Sequence, residues 1–254
     1  MKTIIYINQK GGCGKTASTI STGAALQRKG YRVLLVDLDP QGDLSTSAGV
    51  EPDEEDATIY EVLKGEAKIS DAIVTAPGGY DVAPTDIRQS AAELELAPVI
   101  GRDFLLKKAL EEVKDNYDFA LIDSPRSLSI ITIMGLTAAD DVIITLRGDY
   151  LGIKAITQLR DTVEMVKRHL NPGLNYLGVL ITFNKRTNLA KRIAAQAEEG
   201  FPAKLFNTRI SEDVKLGEAP GAGQDIFKYF PRSTAAAQYA ALAEEILDRI
   251  GPIE

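Results

Sequence analysis

Short apolar runs alternate with helix-period stretches along most of the chain. The apolar runs at residues 3–7, 33–36, 80–83, 119–122, 142–146, 177–182 and 204–206 predict strands. Several, such as Val33-Leu34-Leu35-Val36 and Phe119-Ala120-Leu121-Ile122, are unbroken rather than alternating, as expected of strands buried on both faces. Between them, a 3.6-residue periodicity predicts helices at 15–28, 102–114, 128–136, 153–169, 190–199 and 234–250. Strand and helix taking turns in this way predict an α/β fold, a mostly parallel twisted sheet with helices on both faces. Residues 51–57 read as an acidic loop, and Gly148 and Gly152 break the region after the fifth strand. No repeat, low-complexity tract or linker divides the 254 residues, so a single domain over 1–254 is expected.

In open parallel sheets ligands bind beyond the carboxyl ends of the strands. Three strand ends here carry chemistry. The first runs into Gln9-Lys10-Gly11-Gly12-Cys13-Gly14-Lys15-Thr16, a glycine-rich turn that opens a helix. Backbone N–H groups of such a turn and the positive end of the helix dipole suit a phosphate. Lys15 is placed to reach the β- and γ-phosphates of a nucleotide, and the Thr16 hydroxyl to bind Mg²⁺. Gln9 stands where the usual loop has a glycine, and Lys10 is an additional lysine. The second strand ends in Asp37-Leu38-Asp39-Pro40-Gln41-Gly42, and the fourth in Asp123-Ser124-Pro125. An aspartate after an apolar strand in a phosphate-loop protein holds Mg²⁺ opposite the loop hydroxyl. Simpler readings stand beside these: a flexible turn with surface lysines, an Asp-Pro turn at Asp39, and a helix N-cap at Asp123.

Composition narrows the chemistry. Hydrophobic residues make up 44% and charged residues 26%, ordinary for a globular protein. No apolar run approaches the ~20 residues of a membrane span. One cysteine, Cys13, permits no intrachain disulfide, which fits a reducing cytoplasm. One histidine, His169, falls near a helix end, so chemistry must rest on carboxylates, lysines and a metal. The net charge of −7 argues against a wholesale nucleic-acid coat and leaves a local basic patch open.

Taken together, these motifs resemble the ParA/MinD group of deviant-Walker ATPases, and within it the ParA (Soj-like) partition ATPases. Residues 10–16 look like the family's K-G-G-x-G-K-T loop, and residues 33–42 like its V-L-L-V-D-x-D-P-Q-G segment. Ile122-Asp123-Ser124-Pro125, Leu136-Thr137-Ala138-Ala139-Asp140, Arg186-Thr187-Asn188-Leu189, Glu218-Ala219-Pro220 and Pro231-Arg232-Ser233 extend the match over nearly the whole chain. The resemblance implies a single-domain P-loop fold and an ATPase that sandwiches two ATP molecules between two subunits. Lys10 would reach across to the partner's phosphates, supplying in trans the charge an arginine finger supplies elsewhere. Asp39 would orient the attacking water; Lys15, Thr16 and Asp123 would hold phosphate and Mg²⁺, with Asp39 at the metal's edge. Gly11, Gly12, Cys13, Gly14 and Ala17 complete the phosphate cradle, and Asn184, Ser211 and Asp213 are the implied base contacts. Three departures matter: Ala17 replaces a threonine, Arg126 replaces the second proline after Asp123, and Glu212-Asp213 replaces Arg-Asn.

Lys185, Arg186, Lys191 and Arg192 form the densest basic cluster outside the loop, and Lys215 and Lys228 are candidates for the same surface. A solvated charged face explains these equally from composition alone. The resemblance favours non-specific DNA binding, nucleoid association in the ATP state and a ParB-like adaptor, with plasmid or chromosomal DNA as cargo. A MinD-like membrane regulator needs a basic amphipathic last helix, and residues 238–254 carry four acids against Arg249 alone. An iron–sulfur relative needs more cysteines. A small-molecule kinase or ligase of the same loop class stays open. With one strand ahead of the loop, no N-terminal helix-turn-helix domain is expected.

Overall fold

The computed structural model describes residues 1–52, 56–148, 153–185 and 187–252. Within them seven strands pair into one sheet: β1 (Lys2–Ile7), β2 (Val33–Asp37), β3 (Val74–Thr75), β4 (Asp81–Ala83), β5 (Phe119–Asp123), β6 (Asp141–Arg147) and β7 (Asn175–Thr182). The spatial order is β3-β4-β2-β5-β1-β6-β7, parallel except where β3 lies antiparallel to β4 at one edge. The helices are α1 (Lys15–Arg28), α2 (Asp43–Ser47), α3 (Ile59–Lys64), α4 (Ile69–Ala72), α5 (Gln89–Leu96), α6 (Leu105–Glu112), α7 (Ile130–Ala138), α8 (Ile153–His169), α9 (Asn188–Gly200), α10 (Val214–Glu218), α11 (Ile226–Tyr229) and α12 (Thr234–Ile250).

The unbroken apolar strands are explained by two cores. Successive side chains of a strand point to opposite faces. Ile5 and Ile7 of β1 therefore join Leu34, Val36 and Ile122 under α3 to α8, whereas Ile4 and Tyr6 join Leu35 and Leu121 under α1 and α12. Each fully buried side chain of this size contributes about 1.5–3 kcal/mol of transfer free energy. Helix α1 is rich in small and hydroxyl residues because it is enclosed by β strands and α12. Its polar groups are bonded internally: Tyr6 Oη donates to Thr22 Oγ1 at 2.9 Å, and Ser18 Oγ lies 3.1 Å from Tyr239 Oη. Gly23 lets it approach the sheet, since a Cβ there would come 2.6 Å from Leu35 Cδ2.

Several expected elements are corrected. The run at 204–206 forms no strand; Leu205 makes one bridge to Val179. The ladder stops after two bonds, Val179 N to Lys204 O at 2.8 Å and Phe206 N to Val179 O at 3.0 Å, because the next acceptor on β7, Ile181 O, takes Ile210 N at 2.9 Å. The helix expected at 102–114 starts with a 3₁₀ turn over Arg102–Phe104 after Gly101 (φ 75°), and its α part stops at Glu112. The helix expected at 128–136 is displaced to α7. Asp123 accordingly ends a strand and is no N-cap. Helices α2 to α5, α10 and α11 were not foreseen, being too short for periodicity to register. The capping box of α3, Thr58 with Glu61, was the one legible signal among them. Gly152, residues 53–55 of the acidic loop and Glu254 lie outside the described residues.

Arg249 deserves emphasis as the bolt of the last helix. It donates to the carbonyls of Leu177 (2.8 Å), Lys204 (3.0 Å) and Leu205, pairs with Glu245 (2.9 Å), and stacks 4.0 Å over the Phe206 ring. Arg249→Ala is expected to destabilise the fold by about 2 kcal/mol or more, because it leaves part-buried carbonyls unpaired. Chemical denaturation measures this; a loss under about 0.5 kcal/mol would mean that α12 docks by apolar packing alone.

Candidate nucleotide site

Strands β1, β2 and β5 are neighbours, so their three carboxyl-end segments converge. Asp37 and Asp123 stand opposite one another in the β2–β5 register, and Tyr6 opposite Asp123 in β1–β5. Between them a cavity of about 400 Å³ is lined by residues 12–17 of the loop, Asp39, Asp43, Arg126, Phe183, Asp213, Leu216 and Pro220.

The loop is shaped from outside. Gly12 (φ 69°) and Gly14 (φ 75°) take left-handed conformations that L side chains resist. Arg147 Nη1 donates to Gly12 O at 3.0 Å, and Thr182 Oγ1 donates to Cys13 O at 2.9 Å. A planar peptide points its N–H away from its C=O. Tying these carbonyls down on the outside therefore turns the following N–H groups the other way. Helix α1 begins at Lys15 with no side-chain cap among the described residues, unlike α3 and α12, which Thr58 and Ser233 cap. Its first-turn N–H groups and positive dipole end are left open for an anion. Lys15 is itself only 6% exposed. Burial pushes the Cys13 thiol up, against the pull of Lys15, Lys10 and Arg147, so it remains a protonated small side chain.

Asp123 is fully buried. Its Oδ2 accepts the Thr16 hydroxyl at 2.6 Å, while Oδ1 has no hydrogen-bond partner among the described residues. Burial raises its pKa to about 7, opposed by the Lys15 ammonium and the Thr16 bond. Burial, and next the Asp123 charge, raise Asp37 to about 8, although Asp37 accepts bonds from Ser45 N (2.9 Å), Ser45 Oγ (2.8 Å) and Asp39 N (3.1 Å). An orphaned buried carboxylate oxygen beside a hydroxyl fits a Mg²⁺ ion, which takes one or two protein oxygens and leaves the rest to phosphate and water. Among the described residues no cluster of three or more His, Cys, Asp or Glu forms a self-sufficient metal cage. Asp39 is 6% exposed, with Oδ1 accepting Gln41 N at 3.2 Å and Oδ2 lying 3.7 Å from Arg126 Nε.

Other expected residues fall elsewhere. Lys10 is exposed, its N–H held by Asn8 Oδ1 at 2.8 Å, and neither it nor Gly11 lines the cavity. Asn184 and Ser211 bridge each other outside the cavity lining. Asp213 does line it, but its carboxylate already accepts Lys215 N (2.9 Å) and Ala235 N (3.1 Å). Lys185 pairs with Glu212 at 2.8 Å and Lys215 with Glu218 at 2.7 Å, whereas Lys228 donates to Pro77 O. Lys191 and Arg192 are exposed at the start of α9; Arg186 lies outside the described residues. Sequence reasoning missed Phe183, which ends β7 with φ 48° and carries the Arg147 guanidinium 4.2 Å over its ring. It also missed the apolar wall of Leu216 and Pro220, although Glu218-Ala219-Pro220 had been singled out as a motif.

This arrangement defines a class: phosphate-loop proteins with an anion cradle, a metal-binding carboxylate and a second strand-end aspartate. A family model described as an AAA domain matches residues 1–176. The sporulation initiation inhibitor protein Soj of Bacillus subtilis is 42% identical over 247 residues, which cover 96% of this chain and 98% of that protein. The chromosome-partitioning ATPase Soj of Treponema pallidum is 42% identical over 98% of both chains. The crystal structure of cobyrinic acid a,c-diamide synthase from Mycobacterium smegmatis with bound ATP analog and magnesium matches with a TM-score of 0.88 at 33% identity, covering 98% of this chain and 96% of that one. The chain belongs to the ParA/MinD family of P-loop ATPases.

Gly14→Val would force a branched side chain onto a φ of 75° and against Thr182 Cγ2, already 3.2 Å from a Cβ. The expected result is loss of the thermal stabilisation that Mg²⁺-pyrophosphate gives the unaltered chain. Full retention of that shift would show that the loop is no cradle.

Proposed function

We propose that this chain is an ATP-dependent dimerising switch that hydrolyses ATP, binds DNA non-specifically in its ATP state and segregates DNA with a ParB-like adaptor. The ATPase activity and the use of ATP and Mg²⁺ follow from the family and from nucleotide- and magnesium-bound relatives. The partition role follows from the Soj and ParA relatives. The observation that carries the reading is Asp123, a buried carboxylate with one oxygen on Thr16 and the other facing no donor.

Phosphoryl transfer asks a protein for position and charge more than for covalent help. The loop N–H groups and Lys15 hold the phosphates; Thr16 and Asp123 would hold the metal, which when bound would neutralise phosphate charge. Asp39 accepts a proton-bearing bond from the attacking water and fixes its direction. Lys10, exposed and outside the cavity lining, would act on a second subunit's nucleotide. The apolar wall of Phe183, Leu216 and Pro220 offers the base a stacking surface, with Asp213 occupied by its capping bonds.

The DNA surface is built on Lys185, Arg186, Lys191, Arg192 and Lys215. Glu212 and Glu218 engage two of these lysines in exposed pairs that hold weakly in water, so a DNA phosphate displaces them at small cost. Dimerisation doubles the phosphate contacts, which makes DNA affinity a function of bound nucleotide. A membrane-surface role finds no support in α12, whose only basic side chain, Arg249, is spent on internal carbonyls.

Lys15→Ala is expected to abolish nucleotide binding, and Asp39→Ala to keep it while slowing turnover by about 10²-fold or more. Calorimetry and phosphate release read these two effects, and unchanged turnover would remove Asp39 from the mechanism. DNA binding is expected to require ATP or its non-hydrolysable analogue and to weaken steeply with salt. Lys191→Glu with Arg192→Glu should flatten the slope of log affinity against log salt by about one per lost contact. Nucleotide-independent DNA binding, or ATP-dependent modification of a small acceptor, would favour the biosynthetic alternative.

A further inference from the structure

Arg126 has no counterpart in the expected Pro-Pro switch, yet its guanidinium crosses the mouth of the phosphate loop. Nη2 lies 2.8 Å from Asp43 Oδ2 and Nε lies 3.7 Å from Asp39 Oδ2. Its Cδ, Nη1 and Nε approach within 3.4–3.8 Å of where a Gly11 Cβ would stand. The side chain therefore lies between the loop and the two aspartates, in the cavity that Lys15, Thr16 and Asp39 share. Phe183, Leu216 and Pro220 line the same cavity, whose charged and hydroxyl lining of Lys15, Thr16, Asp39 and Arg126 is what answers a terminal phosphate once the base takes the apolar side chains.

The present partners of Arg126 are replaceable. Both Arg126 and Asp43 are about half-exposed, at 53% and 51% of their side-chain surface, and an exposed pair holds weakly. A phosphate offers the planar guanidinium two oxygens in its own fork geometry, with more charge than a single carboxylate. Reorienting the guanidinium needs only side-chain torsions, because the stem already lies against Gly11. Leaving Asp39 would at the same time free Oδ2 to accept a water.

We infer that Arg126 is a terminal-phosphate ligand supplied by the chain's own subunit, which exchanges Asp43 and Asp39 for the γ-phosphate of ATP. This rests on the nucleotide reading above. It gives one subunit a means of telling ATP from ADP before any partner lysine arrives. It also assigns a ligand role to a position where the family pattern offers a proline.

The test is equilibrium binding of a non-hydrolysable Mg²⁺-ATP analogue and of Mg²⁺-ADP to the full chain, to Arg126→Ala and to Arg126→Lys, with turnover measured alongside. The expected result is an approximately tenfold or greater loss of analogue affinity in Arg126→Ala, with ADP affinity within about twofold of the unaltered chain. Arg126→Lys should recover part of the loss, since it keeps the charge and loses the fork. Equal weakening of both nucleotides would overturn the inference in favour of a loop-shaping role. Unchanged affinities, with or without faster turnover, would overturn it in favour of a simple restraint on Asp39 and Asp43. Should Lys15→Ala bind both nucleotides as well as the unaltered chain, the nucleotide reading itself falls, and the two failures are thereby told apart.

Discussion

A buried carboxylate with an unpaired oxygen is costly to a folded chain, and the architecture around Asp123 makes sense as the setting for that one group. Desolvation drives its pKa to about 7 even with Lys15 and Thr16 nearby. A cation beside it would remove the penalty; the Thr16 hydroxyl is there to share that cation, and the uncapped start of α1 suits the anion it would accompany. The same logic explains Asp37, the register partner of Asp123 on β2, which is absorbed by Ser45 and the Asp39 N–H. Two aspartates in register at adjacent strand ends thus divide the work, one supporting the turn and one left open for a ligand.

Keeping such a site open without ligand requires a rigid surround. Arg147, Thr182 and the left-handed Phe183 supply it by clamping the outer side of the loop, and Phe183 stores backbone strain of a kind that clusters at binding sites. They come from β6 and β7, strands on the far side of β1 from Asp37 and Asp123. Thr182 and Phe183, which touch the phosphate loop, are only a few residues ahead of Lys185 in the chain, so the clamp on the loop and the start of the basic cluster are close in sequence. Glu212, which interrupts the family's basic pattern, and Glu218 hold Lys185 and Lys215 in exposed pairs and leave Lys191 and Arg192 as the exposed bases of α9.

Much of this was legible beforehand. The α/β class, six of the seven strands and the long helices followed from runs and periodicities, because strands buried on both faces and helices of many turns leave strong patterns. The phosphate loop and its two aspartates were legible because each is a local motif at a strand end. The short helices, β3 and the displaced start of α7 were not, since a segment of two to nine residues is decided by what it packs against. The surroundings of the implied base contacts were likewise illegible: Ser211 exchanges bonds with Gln238 of α12, and Asp213 accepts two N–H groups, one of them from Ala235 of α12.

By itself, the sequence determined that a glycine turn follows a buried strand, that two aspartates follow two others, and that no histidine or cysteine pair could do the chemistry. Which carboxylate is left open, which arginine lies over Gly11, and which hydroxyl holds Cys13 were decided only by the tertiary structure. The physical reason is distance along the chain. Thr16 and Asp123 are 107 residues apart, and Thr182 and Cys13 are 169 apart. Only the order of strands in the sheet brings their ends together. Lys10, the loop's additional lysine, stands exposed outside a cavity that Arg126 helps to line.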